Sequence, residues 1–282
     1  MNNNTSRKTR ILIYILMIVA VLLVAFPLVY AFFGSFKGTV EFLTGGGNIL
    51  PKKTWRWQNY TDAWKTANFG VYTVNSLLFA ALSVIGTLIT TSMTGYVLSR
   101  SKMKIKNLLV GSFGVTLFVT GAITLYPIFK LCHALGFTSN LWGMTIVQIA
   151  VNQPIFSILV LNYVDGISRE IDDAARIDGC GFFRIYWNIM VPIIKPIIAT
   201  VSILSFRAAW NNYMMPLVFT LTKPALRTLT VGVVALKDQG EGISAWNLMI
   251  AGTVMSLIPM ICVYLFLNRY FIAGITEGSV KG

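Results

Sequence analysis

The residues able to do chemistry are few and unevenly placed. Half of the ten acidic residues, Asp165, Glu170, Asp172, Asp173 and Asp178, fall within fourteen positions. One histidine, His133, stands alone, and Cys132, Cys180 and Cys262 fall in three separate regions. Neither a cluster of metal ligands nor a nucleophile with a neighbouring base is formed. No Gly-Lys pair occurs, so the phosphate-binding loop of the common ATPases is absent. The apolar stretches instead carry amides and one cation: Gln148, Asn152 and Gln153 beside Pro154, then Arg207, Trp210, Asn211, Asn212 and Tyr213, with Asn75 and Ser76 earlier. Gln148 and Asn152 share a helix face at i and i+4, as do Arg207 and Asn211.

Amides beside aromatic rings suit a sugar, because amides bond hydroxyls and rings stack on its apolar face. The same amides equally suit interhelical hydrogen bonds, worth about 0.6 kcal/mol each in a membrane, and both readings stay open. A lone arginine within a bilayer costs at least about 2.5 kcal/mol unless paired or hydrated. No acid is an obvious partner for Arg207, so water, backbone carbonyls or a second subunit are expected to satisfy it; if it faces a cavity, it favours an anionic solute. Thr116, Thr120 and Thr124 line one face of their segment, whose Gly111, Gly114 and Gly121 are expected to permit close helix packing.

The elements that must carry these groups follow from composition. Of 282 residues, 55% are hydrophobic and 12% charged, about half the charged share of a soluble domain. The chain reads as a multi-span helical membrane protein. Its net charge of +13 is expected to serve anionic lipid and membrane topology, not nucleic acid. A spanning helix needs about 20 apolar residues, and six segments qualify: 11–33, 70–98, 108–129, 141–164, 197–221 and 243–268. The first is too long, and lacks a small-residue cleavage site, for a removed signal peptide. Arg7, Lys8 and Arg10 before the first span, and Arg100, Lys102, Lys104 and Lys106 after the second, place both termini in the cytoplasm. Residues 1–10 then form a cytoplasmic N-terminus, 34–69 an extracytoplasmic loop, 70–268 the transmembrane core and 269–282 a cytoplasmic tail. The outer loop holds a glycine run, Gly45 to Gly47, and Trp55, Trp57, Tyr60 and Trp64, which read as an interfacial belt.

The acidic cluster lies in the cytoplasmic loop between spans four and five. Ser168 is expected to cap a short helix with Glu170 and Asp172 in its first turn, and Gly179 to stop it. Helical spacing puts Ile171, Ala174 and Ala175 on one side and Asp172, Asp173 and Arg176 on the other. An aromatic-rich piece, 182–191, follows, and Pro192 marks the break before span five.

This loop carries a family resemblance. Asp173-Ala174-Ala175, three residues, Gly179, nine residues, then Ile189-Met190-Val191-Pro192 resembles the EAA signature of binding-protein-dependent ABC importer permeases. The spacing matches throughout; Asp173 stands for the usual Glu, Val191 for Leu, and Ser168 for the Pro of sugar-type members. Arg176-Ile177-Asp178-Gly179, Asn59-Tyr60, Asn75-Ser76, Leu135-Gly136-Phe137, Trp210 to Tyr213 and the ending Gly278 to Gly282 are similar to carbohydrate permeases of the maltose-transporter type, in their second, six-span subunit.

The resemblance implies an all-α membrane protein of the type I ABC importer fold, in the plasma or inner membrane, that is not an enzyme. The loop 165–192 would be the coupling element. Glu170, Asp173, Ala174, Ala175, Arg176, Asp178, Gly179 and Pro192 would form it, Asp173 giving the charged contact, the alanines a close fit and Gly179 the turn. The tail from Gly278 would also reach the ATPase pair. Implied partners are a second homologous permease, an ABC ATPase dimer that binds ATP and magnesium, and an extracytoplasmic solute-binding protein. No cofactor or metal is expected in this chain. The substrate implied is a sugar, most readily an oligosaccharide, reached through Gln148, Asn152, Arg207, Trp210, Asn211, Asn212 and Tyr213. The alternatives are another organic solute, such as a polyol, sugar phosphate or peptide-like compound, or an ion-coupled transporter working without an ATPase.

Overall fold

The computed structural model describes residues 7–44, 47–52, 54–119, 121–239 and 245–279. Gly45 and Gly46 of the glycine run, Thr120 of the threonine stripe, and the last three residues of the tail lie outside the described residues. The elements are helical throughout this set: α1 (Arg7–Gly34), α2 (Thr39–Thr44), α3 (Gln58–Thr66), α4 (Phe69–Arg100), α5 (Lys106–Thr116), α6 (Gly121–Ala134), α7 (Leu141–Asp165), α8 (Glu170–Ile177), α9 (Phe182–Ile185), α10 (Val191–Ile193), α11 (Lys195–Trp210), α12 (Met214–Phe219), α13 (Leu229–Ala235) and α14 (Trp246–Ser279). Among the described residues, four helices are long and apolar enough to cross a membrane, or six if each of two bent pairs counts as one span.

Three expected spans have a different form. Span three is broken: α5 and α6 meet at 108°. The glycines credited with close packing explain the break better, since glycine weakens a helix interior. A Cβ at Gly111, Gly114 or Gly121 would meet no atom of another element within 4 Å among the described residues, so these glycines do not mediate the close packing expected of them there. Thr116 and Thr124 return their hydroxyls to Phe113 O and Gly121 O of their own helices. Span five is likewise not continuous to residue 221: α11 ends at Trp210. Asn212 Oδ1 accepts from the Met215 amide at 3.4 Å and so starts α12. Two consecutive asparagines offer the backbone this local alternative to helix. The bend before α11 falls at Ile194, between α10 and Lys195-Pro196, at 78°. Pro192 therefore sits inside α10 and does not mark the break. The last span is longer than expected, since α14 runs on to Ser279.

The chain divides into two compact units. One comprises Met1–Phe69 and Gly232–Leu257. There α1 is apolar on every side and exposed along most of its length, as befits a helix whose solvent is lipid. The buried Asn59 knits this unit. Its Nδ2 donates to Ser35 O and Lys37 O at 2.7 and 2.8 Å, and its Oδ1 accepts from Asn247 at 3.1 Å. Trp55, Trp57 and Tyr60 surround the buried Phe36 with ring centroids 4.6–5.3 Å away, while Trp55 and Trp57 keep about half their surface exposed or more.

The second unit comprises Gly70–Val231 and Ile258–Gly282. Its core joins α4, α7, α8, α9 and α11 through Tyr96, Val160, Ala175, Tyr186, Met190 and Val201. Glycine brings α4 and α7 close: a Cβ on Gly95 would lie 2.6 Å from Val160 Cγ1. Asn75 and Ser76, candidates for a lined pathway, are buried and hold a peptide segment. Asn75 Nδ2 donates to Ala225 O and Arg227 O, and Ser76 Oγ accepts from the Leu229 amide at the start of α13.

Candidate functional site

The acidic loop stops as its spacing predicts but starts one residue late: Arg169, not Ser168, stands at the cap position of α8 and makes no side-chain cap bond. Ser168 Oγ accepts from the Glu170 amide at 3.3 Å, and Glu170, Asp172 and Asp173 occupy the first turn of α8, where the helix dipole favours acids. Gly179 has φ +77°, a conformation that side chains rarely adopt. Its amide donates to Arg176 O at 3.0 Å, and the Cys180 amide to Ala175 O at 2.9 Å. This is the paired hydrogen bonding of a Schellman stop, with a glycine where the chain reverses hand.

The faces of α8 differ from the expected ones. Asp172 does not lie on the outer side with Asp173 and Arg176; it is 3% exposed and points inward with Ala175. Ala174 is exposed, on the outer side. The reason is tertiary. Tyr96 Oη donates to Asp172 Oδ1 at 2.7 Å, and Arg100 Nε to Oδ2 at 2.9 Å, so the last turn of α4 supplies what a buried carboxylate needs. Glu170, Asp173, Arg176 and Asp178 remain on the surface. Asp173 and Arg176 form a 3.6 Å pair that is more than half exposed, and Ile177 is 86% exposed. Beyond Gly179 the chain winds α9 and then a wider helical turn, Tyr186–Met190, in which the Val191 amide reaches back five residues to Tyr186 O. Pro192 follows, exposed.

The pathway candidates separate into two groups. Arg207 and Asn211 are exposed and, with Leu204, Ala208 and Asn212, line a cavity of about 320 Å³. Arg207 pairs with no acid among the described residues. The other amides lie behind this cavity as a buried chain. Asn212 Nδ2 donates to Gln148 Oε1 at 2.8 Å, Gln148 Nε2 to Asn152 Oδ1 at 3.1 Å, and Asn152 Nδ2 to Thr87 Oγ1 at 3.3 Å. Asn152 is thus spent on an interhelical bond to α4, and Gln148 on Asn152 within α7 and on the turn at Asn212. Gln153 similarly donates to Thr94. Trp210 is 4% exposed, stacked on Phe206 at 5.6 Å, and Tyr213 is half-buried. Neither Tyr96 nor Arg100 stood out in sequence, because a basic residue ending a span reads as topology. Their i, i+4 spacing was the available sign.

Three comparisons bear on this arrangement. Residues 5–276 match the family described as binding-protein-dependent transport system inner membrane component. The arabinooligosaccharides transport system permease protein AraQ of Bacillus subtilis (strain 168) is 31% identical over 93% of this chain and 92% of its own. The probable ABC transporter permease protein YurM of the same strain is 28% identical over 96% of this chain and 88% of its own. Among solved structures, a chain from a bacterial ABC transporter involved in the import of the acidic polysaccharide alginate superposes with a TM-score of 0.79 at 24% identity, covering 96% of this chain and 100% of that one. The helical order, the EAA-type loop and the match along nearly the whole length agree, and the chain belongs to the binding-protein-dependent transport system inner membrane component family.

Proposed function

We propose that this chain is a permease subunit of an ATP-driven importer for a sugar, most readily an oligosaccharide. The observation that carries the reading is the loop helix α8. Its inner face is anchored and its outer face, with Asp173, Ala174 and Ile177, is exposed, as a surface that receives another subunit requires. The relative named for arabinooligosaccharide transport supports the substrate class.

In this reading a second homologous permease supplies the other half of the pathway, and an extracytoplasmic binding protein delivers the solute. A cytoplasmic ATPase dimer holds ATP and magnesium and seats α8 with Glu170, Arg176 and Asp178 around its contact. Closure of the ATPase pair pushes α8 and opens the cavity outward; hydrolysis returns it inward. This chain does no bond chemistry. Asn211 and Arg207 meet the solute, while Asn212 is held between the cavity and Gln148. Family membership sets aside the ion-coupled alternative.

Arg207 favours a second reading of the substrate. A cation that lines a cavity without an acid partner suits a saccharide carrying a carboxylate or phosphate. Gentle-detergent purification of the tagged chain tests the importer reading: an ABC ATPase and a second permease are expected to co-purify, and recovery of the chain alone would sink it. In the same complex, Asn211→Ala should weaken binding-protein-dependent uptake without loss of assembly. Unchanged uptake would remove Asn211 from the solute site.

A further inference from the structure

We propose that Arg100 and Asp172 form a transmission pin, which makes α8 and α4 one rigid lever and carries ATPase motion to the Arg207 cavity. The proposal rests on the importer reading above and adds the residues that transmit the force.

A helix of eight residues does not hold its own position in water, so α8 must be fixed by what it touches. The last turn of α4 fixes it. The Arg100 and Asp172 side chains are each 4% exposed and 2.9 Å apart. Tyr96 Oη donates to the other carboxylate oxygen of Asp172 at 2.7 Å. Arg100 Nη2 donates to Ile167 O at 3.0 Å, and Arg169 Nη2 donates to Ser99 O at 3.0 Å. Ser99 Oγ donates to Asp165 Oδ1 at 2.6 Å. Tyr96, Ser99 and Arg100 sit at i, i+3 and i+4 and present one face to the loop. The segment after Gly179 is tied to the same helix, since Tyr186 Oη and Ser92 Oγ lie 2.6 Å apart and the Tyr96 ring packs on Phe182 and Tyr186 at 5.1 and 5.5 Å.

These bonds are directional, and a buried ion pair loses a great deal when either partner is removed. Force on the outer face of α8 therefore arrives at residues 96–100 of α4. About two and a half to three and a half turns back along the same helix, Thr87 receives the amide chain that runs through Asn152 and Gln148 to Asn212 at the cavity. One unbroken helix thus links the pin to the solute side. Arg100 and Asp172 are positioning residues: neither touches the cavity, and neither lies on the outer face of α8.

The test reads transmission without needing the solute. In the purified complex with its ATPase and second permease, Cys132, Cys180 and Cys262 are replaced by serine and Asn211→Cys is labelled with a water-soluble maleimide. Labelling rates are compared between nucleotide-free and ATP-vanadate-trapped complex. Without further change the two rates should differ clearly. Arg100→Ala and Asp172→Ala should each shrink that difference by about tenfold, the scale at which substitutions within a coupling network act. Combining them should be no worse than either alone, since the two act as one unit. Asp172→Asn keeps the shape and the Tyr96 bond but sets a neutral group against Arg100; it should assemble and show the same loss in part. The pin is overturned by a wild-type difference that persists in Asp172→Asn, by single effects that multiply in the double variant, or by labelling that ignores nucleotide before any pin residue is changed. Failure to recover an ATPase with the unmodified chain would sink the importer reading itself, an outcome read before labelling begins.

Discussion

The loop helix α8 and the cavity at the end of α11 each contain a charged residue at a place where charge is costly, and they treat it oppositely. Asp172, in the first turn of its helix, is enclosed and given two hydrogen-bond donors, a phenol and a guanidinium. Arg207 is left exposed to a cavity and paired with no acid among the described residues. A satisfied buried charge holds two elements in one relative position. An unsatisfied charge facing a cavity is poised to meet something that enters. In the proposed transport cycle, the contrast separates a part that moves as one body from a part that exchanges partners.

The largest effect that would break this comparison is at the loop. Gly179→Val puts a β-branched residue at φ +77°, where a non-glycine residue costs about 1–2 kcal/mol and the Schellman stop is lost. No atom lies within 4 Å of the added Cβ, so the cost is in the backbone and not in packing. Uptake by the complex should be abolished while the chain still inserts in the membrane; Gly179→Asn, which tolerates the left-handed region better, should retain part of it. Normal uptake in Gly179→Val would deny the loop its coupling role.

An intermediate effect is expected behind the cavity. Asn212→Ala leaves the buried Gln148 Oε1 without its 2.8 Å donor, a loss of about 1–3 kcal/mol for an unsatisfied buried group. The thermal midpoint of the purified complex should fall, whereas Asn211→Ala at the exposed cavity wall should leave it unchanged. Equal midpoints would mean that the amide chain is not structural. The smallest effect on stability is expected at the outer face of α8. Arg176→Ala breaks a pair that is 58% and 66% exposed, and such pairs contribute about 0–1 kcal/mol. The midpoint should not move, but affinity for the ATPase, measured by co-purification against increasing salt, should drop. A variant with wild-type salt resistance would remove Arg176 from the docking face.

Much of this is legible in the sequence. Apolar length located the helices, because in a membrane each backbone polar group must be satisfied within its own segment. The Gly179 stop and the Asp173-Ala174-Ala175 spacing are readable directly, because a helix end and the spacing of a motif are local properties of a few residues. The break between α5 and α6 and the one at 211–213 are not legible in the sequence, since a hydropathy reading counts apolar residues and passes over a turn that two asparagines or spaced glycines permit.

What the chain determined alone is therefore local: where helices run, where α8 stops, and which family its loop resembles. Which face of α8 turns inward was decided only in three dimensions. Periodicity groups Asp172 with Asp173, but Tyr96 and Arg100, more than seventy residues earlier, give Asp172 the hydrogen bonds that make burial tolerable. The same holds for Gln148 and Asn152. An amide in a membrane helix must find a partner, and only the packing of α4, α7 and the turn at Asn212 decided that those partners are protein groups, leaving Arg207 and Asn211 to face the cavity.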